Sequence, residues 1–373
     1  MFLSKITVTD FKNIRLAELS FSGKLNCISG NNGVGKTNLL DAVYSLSMTK
    51  SFFNYQDSFS IRHGAEAAAL NGTYVMDDGS LTTIGLAIYG KGPQEGKLLK
   101  REGKAYKRLS DHIGLFPIVM VSPSDTSLIN LSGRERRRFM DALLSQVDRE
   151  YLFKLQRYNK LIAQRNGLLK NSEDNEELTE AIDVQLTSLA SYIYDKRKNL
   201  AELLNQSVGE YYAKVSGRAE SVAVRYTSDL EKMPLDEVLK KNRERDRMMG
   251  FTTSGIHRDD LDFEITSADG EFHPLKSCAS QGQQKCFLIA LKLSQFAIMK
   301  RLFGGTAPIL LLDDIFDKLD MSRVEYLLQL VVGEDFSQIF ITDSNKVRME
   351  KLVKKIGGEC KSFEVEQGNI KEV

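Results

Sequence analysis

Residues 25–46 read Leu25-Asn26-Cys27-Ile28-Ser29, then Gly30-Asn31-Asn32-Gly33-Val34-Gly35-Lys36-Thr37, then Asn38-Leu39-Leu40-Asp41-Ala42-Val43-Tyr44-Ser45-Leu46. The opening five residues form an apolar strand pattern, and Asn38–Leu46 has helical periodicity. The eight residues between them fit G-x-x-x-x-G-K-[ST], and a strand before with a helix after is the context that makes such a match informative. Glycines let backbone N–H groups approach phosphate oxygens, and a helix N-terminus adds a dipole that favours negative charge. A chance glycine turn is the bland alternative. The better reading is a phosphate-binding loop over Gly30, Asn31, Asn32, Gly33, Val34, Gly35, Lys36, Thr37 and Asn38. Lys36 would neutralise the β- and γ-phosphates of a bound nucleotide and so serve catalysis, and Thr37 would hold Mg2+.

Two further segments suit that loop. Pro308-Ile309-Leu310-Leu311-Leu312-Asp313-Asp314 is a buried strand ending in two carboxylates, and the carboxyl end of a parallel strand faces the ligand crevice. Asp313 suits the role of holding Mg2+ through water, and Asp314 is placed to orient the attacking water or accept its proton. Taken alone, the run also fits a plain strand followed by a turn. Ser280-Gln281-Gly282-Gln283-Gln284-Lys285 precedes a long amphipathic pattern containing Phe287, Leu288, Leu291, Phe296 and Met299. Ser280, Gly282 and Gln283 would form a second anion site at a helix N-terminus. An ordinary N-cap serine is the alternative there.

Strand and helix patterns alternate on both sides of a different middle. The six prolines stand at 93, 117, 123, 234, 274 and 308, so residues 124–233 contain none. Apolar residues there recur at helical spacing: Leu155, Tyr158, Ile162 and Leu169, then Leu178, Ile182, Leu186, Leu189, Ile193 and Leu200. A polar break over 167–175 would turn one helix back on the other. The division expected is 1–125, strand-rich and carrying the phosphate loop; 126–250, a helical insertion; and 251–373, where alternation returns. In the last part the pattern predicts a strand at 263–265, a helix over 283–302, a strand at 309–312, a helix at 321–332 and a strand at 338–342. Such alternation argues an α/β fold with a mostly parallel sheet.

The chain has 373 residues, enough for two or three domains, and 42% of them are hydrophobic. No apolar run approaches the roughly 18 residues of a membrane span. No secretory leader pattern opens the chain, and four cysteines (Cys27, Cys278, Cys286, Cys360) without a CxxC pair suit a reducing, cytoplasmic setting. Lys and Arg total 51 against 50 Asp and Glu. Resolved locally, residues 91–108 hold seven basic residues against two acidic, and 134–170 ten against four. Residues 171–183 hold six acidic residues and no Lys or Arg. The basic segments fit phosphate contacts with nucleic acid and equally a solvated helix face. His257, beside Arg258, Asp259 and Asp260, reads as part of a structured turn rather than a metal site.

The order of these segments resembles the ABC-type ATPases, in which Ser280 and Gly282 would take the place of the signature motif, touching the γ-phosphate held by another subunit. Asp317 and Asp320 match the D-loop position. Asp343 stands at the switch position, where transporters usually carry His. More closely, the chain resembles the RecF family of SMC-like recombination mediators of bacteria along nearly its full length. Asp10-Phe11-Lys12-Asn13, Gly33-Val34-Gly35-Lys36-Thr37-Asn38-Leu39-Leu40-Asp41-Ala42, Ser122-Pro123-Ser124-Asp125, Arg136-Arg137-Arg138-Phe139-Met140-Asp141 and Gly255-Ile256-His257-Arg258-Asp259-Asp260 carry that resemblance. It implies an ABC/SMC-type P-loop ATPase head with an inserted helical lobe of short antiparallel arms. It also implies an ATP-dependent homodimer using Mg2+, acting as a slow ATPase switch with Asp314 in hydrolysis. The expected partners are double-stranded and gapped DNA, RecR and RecO, with RecA loaded indirectly and no membrane involved. A transporter ATPase subunit and a structural SMC-like chromosome protein are the alternatives.

Overall fold

The computed structural model describes residues 1–54, 56–90, 95–171, 176–217, 220–267, 270–316, 324, 336–350 and 359–373. These fall into two compact units, 1–125 with 295–373, and 126–294.

The first unit holds two sheets. One is antiparallel, with the strands in the order Ile14–Ser20, Phe2–Phe11, Ala67–Val75, Leu81–Tyr89, Gly96–Arg101, Lys104–Ala105. In Phe2–Phe11 the fully buried positions shift from Leu3 to Ile6 and Val8, because a bulge between Leu3 and Lys5 moves the register. The other sheet runs Asn369–Glu372, Cys360–Glu366, Leu25–Ser29, Ile339–Asp343, Ile309–Asp313, Ile118–Val121, parallel but for the terminal hairpin. Strands Leu25–Ser29, Ile309–Asp313 and Ile339–Asp343 are buried at every residue, as parallel strands covered on both faces are.

Helix Lys36–Met48 packs on strands of both sheets, and Leu39, Leu40, Val43 and Leu46 are fully buried. Each such side chain contributes about 2 kcal/mol by leaving water. The helix that opens at the glycine loop is therefore fixed by the core itself.

The second unit contains helices Gly133–Val147, Arg149–Asn171 and Glu176–Ser216 and a three-stranded sheet in the order Phe272–Pro274, Asp260–Thr266, Val222–Thr227. Helix Glu176–Ser216 has 41 residues, roughly 60 Å at 1.5 Å per residue. Helix Arg149–Asn171 continues through Gly167, so the expected polar break starts later than 167. Val222–Thr227 is a strand inside the stretch expected to be helical. It pairs with Asp260–Thr266, which is why 251–294 packs with the helices that precede it.

Helix Gln281–Leu302 and strands Ile309–Asp313 and Ile339–Asp343 match the expected elements to within two residues. The helix expected at 321–332, apart from helical Val324, and the D-loop residues Asp317 and Asp320 lie outside the described residues. Among the described residues no helix is long and apolar enough to cross a membrane.

Candidate nucleotide-binding site

Strand Leu25–Ser29 delivers the chain to Gly30, and helix Lys36–Met48 carries it away. Gly30 has φ +151°, and a Cβ there would lie 2.5 Å from the Val365 carbonyl oxygen. Gly35 has φ +117°, and a Cβ there would meet the Asn13 amide group at 2.6 Å. Backbone crowding as well as dihedral angle demands glycine at Gly30, and the dihedral angle demands it at Gly35. Asn31, Asn32 and Gly33 are exposed, and Val34, Thr37 and Asn38 half-buried.

The Lys36 ammonium is buried and donates to the carbonyl oxygens of Gly30 at 2.7 Å and Asn31 at 3.0 Å. No acidic residue stands in the first helical turn, so the ammonium and the helix dipole reinforce one positive locus. Beside it lies a cleft of about 510 Å³ whose lining includes Gly30, Asn31, Val34, Lys346, Glu364 and Glu366, a size usual for ligand clefts.

Parallel pairing brings the carboxyl ends of three strands together, with Asp313 opposite Thr342 and Asp343 opposite Ser29. The Thr37 hydroxyl lies 3.0 Å from both carboxylate oxygens of Asp313, and the Thr342 hydroxyl donates to Asp313 Oδ1 at 2.8 Å. Burial pushes the Asp313 carboxyl above its ordinary range, while the hydrogen bonds from Thr342 and Thr37 pull the other way. Asp314 is half-buried with φ +49°, and its N–H donates to Thr342 Oγ1 at 3.0 Å. A hydroxyl and a carboxylate 3.0 Å apart are oxygen donors of the type a hard divalent cation takes. Together with the glycine-rich loop, this donor set fits Mg2+ and a phosphate chain.

The N-terminal turn braces the loop. Asn13 Nδ2 donates to the Val34 carbonyl at 2.9 Å, and Asn38 Nδ2 donates to Asn13 Oδ1 at 2.7 Å. Lys12 pairs at 2.6 Å with Asp41, which is wholly buried and also accepts from Ser51 Oγ and the Phe52 N–H. Sequence reasoning names Asn13 within a motif without giving it this task, and it misses Thr342. The only local signal for Thr342 is its place at the end of a buried strand.

Asp343 is buried and held by Arg348, with Arg348 Nε to Oδ2 at 2.6 Å and Nη2 to Oδ1 at 3.1 Å. Its carboxylate is thus engaged in a bidentate pair.

Ser280, Gly282 and Gln283 belong to the other unit, so this chain's loop unit contains the 30–38 loop, Asp313 and Asp314 without them. Ser280 is exposed. Its N–H donates to Gln283 Oε1 at 2.7 Å while the Gln283 N–H donates to Ser280 Oγ at 3.3 Å, a reciprocal capping box. Gln283 Nε2 also donates to Glu220 at 3.0 Å.

His257 Nδ1 lies 3.0 Å from the Tyr158 hydroxyl and Nε2 3.1 Å from the Thr252 carbonyl. Burial pushes its pKa down to about 4, so the ring is neutral and structural.

The basic segments divide sharply. Gly96–Arg101 and Lys104–Ala105 form a hairpin turned by Glu102 and Gly103, both with positive φ. Lys100, Arg101, Lys104, Lys107 and Arg108 on and after it are exposed, while Lys97 pairs with Asp57 at 2.9 Å. In 134–170 the charges are largely engaged within the lobe. Arg136 makes a bidentate pair with Asp260, Arg137 donates to the Asp259 carbonyl, and buried Arg165 meets Asp183 and Asp246 at 2.7 Å.

The family described as the RecF/RecN/SMC N terminal domain matches residues 2–364. The DNA replication and repair protein RecF of Bacteroides thetaiotaomicron is 46% identical over 374 residues, covering 100% of this chain and 99% of that protein. A solved structure of the recombination mediator protein RecF with ATP, of the RecFOR pathway, superposes with a TM-score of 0.88 at 29% identity, over 100% of this chain and 97% of that one. An Smc head domain from Pyrococcus furiosus, with TM-score 0.58 and 18% identity over 100% of this chain and 96% of that one, shares the fold. With the phosphate loop and the Asp313 carboxylate brought together on an ABC/SMC-type ATPase head, this chain belongs to the RecF/RecN/SMC family and, within it, to the RecF proteins of DNA replication and repair.

Proposed function

We propose that this chain is an ATP-dependent, DNA-binding recombination mediator that closes into a dimer on ATP, hydrolyses it slowly and works with RecR and RecO to load RecA at gaps. The observation that carries the nucleotide part is the hydrogen bonding of Thr37 to Asp313, since it joins the phosphate loop to the carboxylate strand. Lys36 and the N–H groups of Gly33, Gly35 and Thr37 would hold the phosphates. Thr37 and Asp313 would hold Mg2+, which when bound neutralises phosphate charge. Asp314 would orient the attacking water.

Ser280, Gly282 and Gln283 would cap the γ-phosphate held by a second copy. That interaction exists only in the ATP-bound dimer, and a differential interaction of this kind is what lets ATP bias the equilibrium. A head that closes on ATP and reopens on hydrolysis acts as a switch, which suits slow turnover. The exposed hairpin around Lys104, with Lys107 and Arg108, would contact the DNA backbone. No feature of the described residues favours a transporter ATPase subunit or a structural chromosome protein.

The test is sedimentation of wild type, Asp314→Asn and Ser280→Arg with and without ATP, beside binding to duplex, single-stranded and gapped DNA, alone and with RecR. Asp314→Asn should bind ATP and stay dimeric, and Ser280→Arg should bind ATP and stay monomeric. A monomeric Asp314→Asn under both conditions sinks the trans-capping arrangement. ATP-independent binding, equal on all three DNAs with or without RecR, sinks the mediator reading.

A further inference from the structure

One hydroxyl touches both acidic residues on which the proposed hydrolysis depends, Asp313 through its carboxylate and Asp314 through its backbone N–H. Thr342 is fully buried, next to last in strand Ile339–Asp343, and the parallel register sets it opposite Asp313. Its Oγ1 donates to Asp313 Oδ1 at 2.8 Å and accepts from the Asp314 N–H at 3.0 Å. A hydroxyl has a single proton to give, so the two bonds run in one direction, from the Asp314 backbone through Thr342 to the Asp313 carboxylate.

Both partners of this hydroxyl need that support. Asp314 has φ +49°, a left-handed conformation that L residues with a side chain rarely adopt. Its N–H is taken up by this side chain rather than by a strand partner. Asp313 is buried and shares its carboxylate between the Thr342 and Thr37 hydroxyls, so Thr342 fixes the rotation that keeps lone pairs facing Thr37.

We propose that Thr342 is a positioning residue for nucleotide hydrolysis: it orients Asp313 toward the cation position beside Thr37 and fixes the backbone turn that presents Asp314. This rests on the ATP reading of the site. Groups that orient a metal ligand typically change metal affinity or activity by about 10–100-fold when removed, whereas the loop that grips the phosphates lies on a different strand and helix. The loss should therefore fall on Mg2+ use and on kcat, not on ATP binding in the absence of metal.

The experiment compares wild type with Thr342→Val, which keeps the shape and removes the hydroxyl, and with Thr342→Ser, which restores it. ATP affinity is titrated calorimetrically in EDTA and in Mg2+, and kcat is measured across a Mg2+ series. Thr342→Val should bind ATP in EDTA as wild type does, should lose most of the affinity gained on adding Mg2+, and should drop in kcat by about 10–100-fold. Thr342→Ser should return all three toward wild type. If Thr342→Val fails to fold, Thr342→Ala carries the same expectation with a smaller side chain.

Wild-type kcat and wild-type Mg2+ gain in Thr342→Val overturn the proposal. So does an equal loss of ATP affinity with and without Mg2+, which marks a merely structural residue. A wild type that binds no ATP overturns the reading of the site beneath it, and the EDTA titration of wild type alone reveals that case.

Discussion

Buried polar side chains at single positions have their partners largely within reach. Asp343 meets Arg348, Asp41 meets Lys12, and His257 sits between Tyr158 and Thr252. The last has a consequence for stability against pH. An unfolded histidine titrates near 6.5, whereas folded His257 is pushed down to about 4 by burial. Between those values the unfolded chain binds the proton and the folded one does not. Stability is thus full above about pH 6.5 and falls as pH drops toward 4, by at most about 3 kcal/mol from this group. Urea unfolding at pH 7 and pH 4.5 should show a smaller pH-dependent loss for His257→Gln than for wild type. Equal losses would mean the ring is not buried neutral.

Elements are joined by a few such bonds, and two are open to test. The turn after Phe2–Phe11 reaches helix Lys36–Met48 through Asn13, which bonds Val34 and Asn38. Asn13→Ala should leave the fold near wild-type stability, because Asn13 is exposed, yet loosen the phosphate loop. A bond worth about 1 kcal/mol corresponds to a loss of ATP affinity of about fivefold, read by calorimetry. Arg197 is the opposite case. Fully buried on helix Glu176–Ser216, it meets Asp141 at 2.9 Å, Asp259 at 3.2 Å and the Ile256 carbonyl at 2.6 Å, and Tyr226 donates to the same Asp259. Removing one partner of a buried pair leaves the other charge uncompensated, so Arg197→Ala should destabilise the 126–294 unit by about 3–5 kcal/mol in denaturant unfolding. An unchanged midpoint would show that the network relaxes without cost.

At the scale of the whole molecule, near-zero net charge conceals a division between engaged and exposed cations. Lys104, Lys107 and Arg108 are exposed, whereas Arg136 and Arg137 are engaged with Asp260 and the Asp259 carbonyl. Charge reversal at Lys104, Lys107 and Arg108 should weaken DNA binding and flatten its salt dependence by about 0.9 in log–log slope for each duplex phosphate left without its cation. Arg136→Glu should instead lower the melting temperature, with the salt slope of the folded fraction unchanged. The reverse pattern would move the DNA interface to the helical lobe. Composition alone treats the two basic segments alike, since it counts charges without their partners.

What the sequence determined by itself is what consecutive residues carry. The glycine spacing from Gly30 to Gly35, the apolar strand ending at Asp313 and the helical stretch that includes Phe287 follow from local pattern, and the elements observed there agree with it to within two residues. Strand Val222–Thr227 escaped because its identity comes from pairing with Asp260–Thr266 rather than from its neighbours in the chain. The tertiary structure alone decided which side chains share the site. Thr342 lies 28 residues beyond Asp314, and Asn13 lies 21 before Val34. A hydrogen bond at that separation depends on strand register and on the turn that closes it, and those are set when the sheets assemble around helix Lys36–Met48.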